Sequence, residues 1–172
     1  MIYGNDTLYG LDTKVRLIQR VLDKKLPLRW YGDIDIYGVI QETTKDGNRI
    51  PEIYIGHNEY KELYIDDSKA ALICFKIGQR KVEGHTHSAS IDVIFNTVLQ
   101  RITGDDTRET EKVLMEAYNI LKKCGYVNNI TEIKQGIDQV YAGFYTANIL
   151  NKDMEPYFIF SITCEVTYHS NI

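Results

Sequence analysis

Little in this sequence announces a chemistry, and what is missing narrows the field first. The three cysteines, Cys74, Cys124 and Cys164, are odd in number and far apart, and no C-x-x-C occurs. That spacing speaks against a disulfide framework, a zinc ribbon and a thioredoxin-type motif. Cys74 and Cys164 fall at apolar positions of predicted strands, so buried free thiols are expected, which fits a reducing compartment. No apolar run approaches the roughly 20 residues that cross a bilayer. The opening MIYGNDTLYGLD has no basic region ahead of an apolar one. The expectation is a protein without a membrane span or secretory signal, made in the cytoplasm of the cell that expresses it.

Catalytic signatures are missing too. There is no G-x-S-x-G, no P-loop G-x-x-x-x-G-K-[ST] and no G-x-G-x-x-G. KDGNRIPE has the acidic, glycine-containing character of a calcium loop, but lacks the spaced carboxylates and the closing Glu. Net charge is −4, with acids and bases interspersed. That argues against a dedicated nucleic-acid surface, which needs a basic stripe. It leaves open a protein that surrounds DNA without gripping it.

What is present is the patterning of a folded domain. With 172 residues, 44% of them hydrophobic and 26% charged, the chain is long enough to bury a core as one domain, 1–172. In LDTKVRLIQRVLDKKL, Leu11, Val15, Ile18 and Leu22 recur at helical spacing, and Pro27 stops the run. YGDIDIYGVIQETTKDGNRIPEIYI reads as a long β-hairpin over about 31–56, turning at Asp46-Gly47. Pro51 would cost its arm a ladder bond, so that arm is expected at a sheet edge. KAALICFKIG predicts a strand, and QRKVEGHT after it an exposed loop or hairpin tip. HTHSASIDVIFNTVLQ predicts another strand, with Ala89, Ile91, Val93, Phe95, Thr97 and Leu99 on one face.

A second helix follows, with Val113, Leu114, Ala117 and Leu121 as its stripe. Asp106-Thr107-Arg108-Glu109 reads as its capping box and Gly125 as its stop. NITEIKQGI predicts a short strand, and DQVYAGF one or two helical turns. The last strand, in PYFIFSITCEVTYHSNI, alternates Phe158, Phe160, Ile162, Cys164, Val166 and Tyr168 against Ser161, Thr163 and Glu165. Its apolar parity should hold the chain end inside the sheet. Clustered strands with two substantial helices predict an α+β domain with a mainly antiparallel sheet packed by two main α-helices.

Candidate chemistry is thin. His85 and His87, two apart, could share a cation, yet His57, His169 and scattered acids are the other ligands on offer, and a structural or surface role is preferred. Asp33 and Asp35 share one strand face, where paired carboxylates can bind Mg²⁺ or Ca²⁺ or move protons. The alternation already explains them as a solvent face. Asp66-Asp67 and Asp105-Asp106 suit turns and caps. Tyrosines such as Tyr31, Tyr54, Tyr60 and Tyr64, set among acids, suit protein–protein contacts. No catalytic, cofactor or metal site residue is assigned, and a non-enzymatic structural or interaction protein is the expectation.

The succession of leading helix, hairpin, HSASIDVIFNTVL, DDTRETEKVLMEAYNILKK and a closing strand ending EVTYHSNI resembles the tail terminator and tail-completion proteins of tailed bacteriophages. GDIDIYG, DGNRIPEIYI and DMEPYFIFSITCEVTY resemble neck proteins of gut Bacteroidales phages, including the crAss-like group. The resemblance spans roughly residues 10–170. It implies a tail-terminator-like fold and a virion structural protein that forms a homo-oligomeric ring at the head–tail junction. The ring would be a hexamer in a tail terminator or a dodecamer in a neck adaptor. It would join connector or portal-associated proteins to tail proteins and let DNA pass through its lumen without specific binding. It needs no cofactor, and it would sit in the virion neck after assembly in the host bacterial cytoplasm. The 31–56 hairpin and the 142–156 connector are longer than a minimal terminator needs. Ser161, Thr163 and Glu165, or Asp33 and Asp35, would then face a lumen or a subunit boundary. The alternatives are a metal-dependent enzyme or metal-binding domain using His85 and His87, and a small phage-encoded regulatory binding protein.

Overall fold

In the computed structural model, which describes residues 1–4, 7–104, 109–147, 149, 152–154 and 156–169, the last strand runs inside the main sheet. The helices are α1 (Leu11–Lys25), α2 (Leu99–Thr103), α3 (Thr110–Lys123) and α4 (Ile137–Val140). The strands are β1 (Ile34–Val39), β2 (Gln41–Lys45), β3 (Asn48–Gly56), β4 (Glu59–Glu62), β5 (Ala71–Glu83), β6 (Thr86–Val98), β7 (Asn129–Gln135) and β8 (Tyr157–Tyr168). Five strands make one sheet in the order β1-β5-β6-β8-β7, and β2-β3-β4 make a second. Only β1 pairs in parallel, with β5; the other pairs are antiparallel. The chain is therefore α+β, with an antiparallel-dominated sheet and two long helices.

The helices follow their stripes. Leu11, Val15, Ile18 and Leu22 of α1 are buried, and Pro27 sits in a 3-10 turn directly after the helix. On α3, Val113, Leu114, Ala117 and Leu121 are buried. Its expected capping box does not form as read: Glu109 stands at the N-cap itself, not three residues inside. Asp105, Asp106, Thr107 and Arg108 lie outside the described residues. The helix ends where Cys124 turns extended, and Gly125 follows without the left-handed conformation of a glycine cap.

The long hairpin of 31–56 needs correcting. Its first arm divides at Ile40. β1 joins the main sheet, and only β2 turns back onto β3, through Asp46-Gly47, whose positive φ angles of 52° and 79° are those of a tight hairpin turn. A second two-residue turn, His57-Asn58, also at positive φ, brings β4 against β3. The Pro51 arm is thus the central strand, not an edge. The register tolerates it because β4 ends at the residue before Leu63, which faces Pro51. Leu63 donates its N–H to the Pro51 carbonyl at 2.9 Å, and the return bond proline cannot make is where the ladder stops.

β5 and β6 are longer than their apolar cores suggested. The QRKVEGHT stretch is strand on both sides of a Gly84-His85 turn, with Glu83 opposite Thr86. Gly84 has φ 60°, a conformation that favours glycine at the first position of such a turn.

The main sheet is buried on both faces. On one, Phe95, Val93 and Ile91 of β6 face Phe160, Ile162 and Cys164 of β8, and all pack with α1 and α3. Phe95 and Phe160 stack with centroids 4.8 Å apart. On the other, Leu72, Cys74, Ile94 and Ile159 meet Ile53 of β3 and Ile137, Val140 and Tyr141 around α4.

Phe160 is fully buried whereas Glu165, five residues along the same strand, is exposed. Phe160→Ala should lower unfolding free energy in urea by about 3–5 kcal/mol, and Glu165→Ala by no more than about 0.5 kcal/mol.

Candidate functional site

The residues with chemical potential distribute over three places. His85 lies in the β5–β6 turn and is exposed; His87 is on β6, opposite Val82 on one side and Tyr168 on the other. The His87 ring stands 5.4 Å from that of Tyr168. Among the described residues no group of three His, Cys, Asp or Glu side chains could hold a metal ion. The two histidines therefore gain no further ligands there.

Asp33 and Asp35 turn toward Lys69, at 4.0 and 3.6 Å. Asp33 is open to solvent, but Asp35 is buried, which corrects the reading of both as a solvent face. Lys69 is held above its ordinary pKa chiefly by Asp35. The pair is an ion-pair anchor for the start of β1.

The polar parity of β8 is mostly inside the subunit. Ser161 is fully buried, Thr163 nearly so, and of the three residues proposed to face a lumen or boundary only Glu165 is exposed. Thr163 donates its hydroxyl to Asp92 of β6 at 2.6 Å, and Lys134 of β7 reaches the other carboxylate oxygen at 3.3 Å. Lys76 stands beside Asp92 across the β5–β6 ladder. Burial lowers its pKa while Asp92 opposes the shift, and its ammonium lies 5.5 Å from the Phe144 ring centre. Further along this face, Tyr141 donates to the Asn96 side-chain oxygen at 2.6 Å, and Asn96 donates to the Leu72 carbonyl at 3.0 Å. Ser161 apart, these groups satisfy one another, as most buried polar atoms do. They act as a polar inlay that fixes how the second sheet and α4 sit on the first.

The sequence did carry a sign of this burial. Ile94 and Ile159 are apolar on the otherwise polar parities of their strands, and a solvated face would not carry them. Asn96 and Thr163 masked them. The three cysteines are free and buried, as expected. Burial pushes the Cys74 and Cys164 thiols up to about 12.

No protein-family model matches the chain, and no curated protein shows significant similarity to it. No helix among the described residues is long and apolar enough to cross a membrane. Function must be read from the molecule's own surfaces, and two stand out. The first is the asymmetry of the main sheet. Residues 1–3 lie along the β1 edge, where Ile36 donates to the Met1 carbonyl and Tyr3 to the Ile36 carbonyl, both at 2.8 Å. At the far edge β7 is exposed at most positions, including Ile133. The second is the end of the β5–β6 hairpin. Every residue from Gly78 to Thr86 is exposed, so both of its faces are uncovered, and Val82 is 64% exposed.

Two measurements test the inlay and the thiols. Asp92→Asn removes the charge that Lys134 and Thr163 bond and should destabilise the fold by about 2 kcal/mol in denaturant titration. In a thiol assay of native protein at pH 8, Cys74 and Cys164 should stay silent, and both should react once urea unfolds the chain; prompt native reaction of either would contradict its burial.

Proposed function

We propose that this chain is a non-enzymatic virion structural subunit that assembles into a ring at the head–tail junction of a tailed bacteriophage, as a tail terminator or neck protein. The observation that supports it is the unequal pair of sheet edges together with the uncovered hairpin end. A subunit with one edge covered by its own first residues and the other exposed has two different flanks, which is what head-to-tail contacts require. Such heterologous contacts close into rings when the rotation allows. An uncovered hairpin arm gives each copy something to lay on its neighbour. Charge is compatible: a chain of net charge −4 lining a conduit repels phosphates and lets DNA slide.

On this reading the boundary residues are revised. Ser161, Thr163 and Asp35 belong to the subunit interior, so Asp33 ahead of β1, Val82 on the arm, Ile133 on β7 and Glu165 on β8 are the exposed positions a neighbour would meet. The partners are further copies of the chain, connector or portal-associated proteins and tail proteins, in the virion neck.

Mass photometry of purified protein, with proteomics of purified particles, tests the proposal. A ring-sized hexamer or dodecamer is expected, or ready assembly into one on contact with the neck. Val82→Asp should reduce that assembly while leaving the unfolding midpoint unchanged. A strictly monomeric protein that is absent from particles would overturn the ring.

A further inference from the structure

Between α3 and the end of α1, with the turn that follows it, runs an open groove. Two hollows of about 620 and 150 Å³ share Arg29 and Glu116, and so lie end to end. Their lining follows α3 from Lys112 to Lys123, roughly 17 Å of helix axis at 1.5 Å per residue. In the larger hollow Val21 and Ile120 supply a partly buried apolar floor, and Leu28 stands beside them 74% exposed.

The rim is cationic. Lys25, Arg29 and Lys123 line the larger hollow, and none has an ion-pair partner among the described residues. Glu116 is the one carboxylate among its described lining residues. At the other end Lys112 is already paired with Glu109 at 3.2 Å. A net positive rim around an apolar floor is the local reverse of a chain whose net charge is −4.

We propose that this groove docks an acidic amphipathic helical segment of a different protein. The floor would bury aliphatic side chains at helical spacing, and the three free cations would meet carboxylates on either side of them. A phosphate chain would gain from the amines but nothing from Val21, Leu28 and Ile120. A second copy is a poor occupant, because the apolar stripes of both long helices are already committed to the core. The groove lies on the helical side of the sheet, and none of its lining residues belongs to an edge strand or to the arm invoked for ring contacts, so it is tested independently of the ring.

The test uses two labelled peptides of about 15 residues with the same leucine stripe, one carrying Glu and the other Lys at the remaining positions. Trp30, the only tryptophan, lies in the chain between Arg29 and Tyr31 and offers an intrinsic signal beside fluorescence anisotropy. The acidic peptide alone should bind, with affinity falling as salt rises. It should weaken about tenfold in an Arg29→Glu, Lys123→Glu double variant and also in Leu28→Asp, with unfolding midpoints unchanged because all three positions are exposed. Equal binding of both peptides, no binding of the acidic one, or unchanged affinity in the variants would overturn the proposal. So would a self-association that Leu28→Asp abolishes, since the occupant would then be a second copy.

Discussion

Twelve residue pairs run from His87 opposite Tyr168 to Val98 opposite Tyr157, and the other elements are placed relative to that ladder between β6 and β8. Because side chains alternate with a period of two, its register decides which residues meet α1 and α3 and which meet the second sheet. A slip of one position would turn one strand over relative to the other, carrying either Phe95 or Phe160 out of the helical core and either Asp92 or Thr163 into it. The stacked Phe95–Phe160 pair on one face and the Thr163–Asp92 hydrogen bond on the other both depend on the same register. That double dependence makes a slipped pairing costly on both sides at once. It also holds the strand through Tyr168 inside the sheet.

The second face of the sheet is the less usual half of the structure. Polar residues on a strand most often mark water, and here Asn96, Ser161, Thr163 and Asp92 are buried instead. Burial of this kind is tolerable because Asn96 is held between Tyr141 and a backbone carbonyl, and Asp92 between Thr163 and Lys134. Ser161 is the exception, its hydroxyl buried without a partner among the described residues. Such partnered groups favour one arrangement of the covering layer over others, since each alternative strands a donor or acceptor in an apolar setting. The cost of that specificity is a core that responds sharply to loss of any one partner.

Surface features divide along the same lines. The sheet edges and the β5–β6 hairpin end are backbone-rich and exposed, suited to contacts between like subunits. The α1–α3 groove is apolar at its floor and cationic at its rim, suited to a side-chain-led contact with something acidic. Both kinds of surface can coexist on one small subunit because the two long helices, α1 and α3, share one face of the main sheet, leaving its edges and the hairpin end to the other directions.

Much of the fold was legible in the residues. The stripes of α1 and α3, the alternation of β6 and β8, the Asp46-Gly47 turn and the buried thiols are local patterns, written within a dozen residues each, and local sterics and burial suffice to produce them. The His57-Asn58 turn was not legible, because no Asn-Gly or Asp-Gly announces it, and without it the hairpin lost its third strand. Glu109 as the inner residue of a capping box and Gly125 as a glycine stop were plausible local signals that the helix ends did not use. Beyond these, tertiary structure decided the rest. Whether β1 joined β2 or β5, whether Thr163 faced water or Asp92, and whether Lys25, Arg29 and Lys123 met around one groove all depend on segments far apart in the chain. Sequence periodicity states that a strand has two faces; only the packing of distant elements decides what covers each.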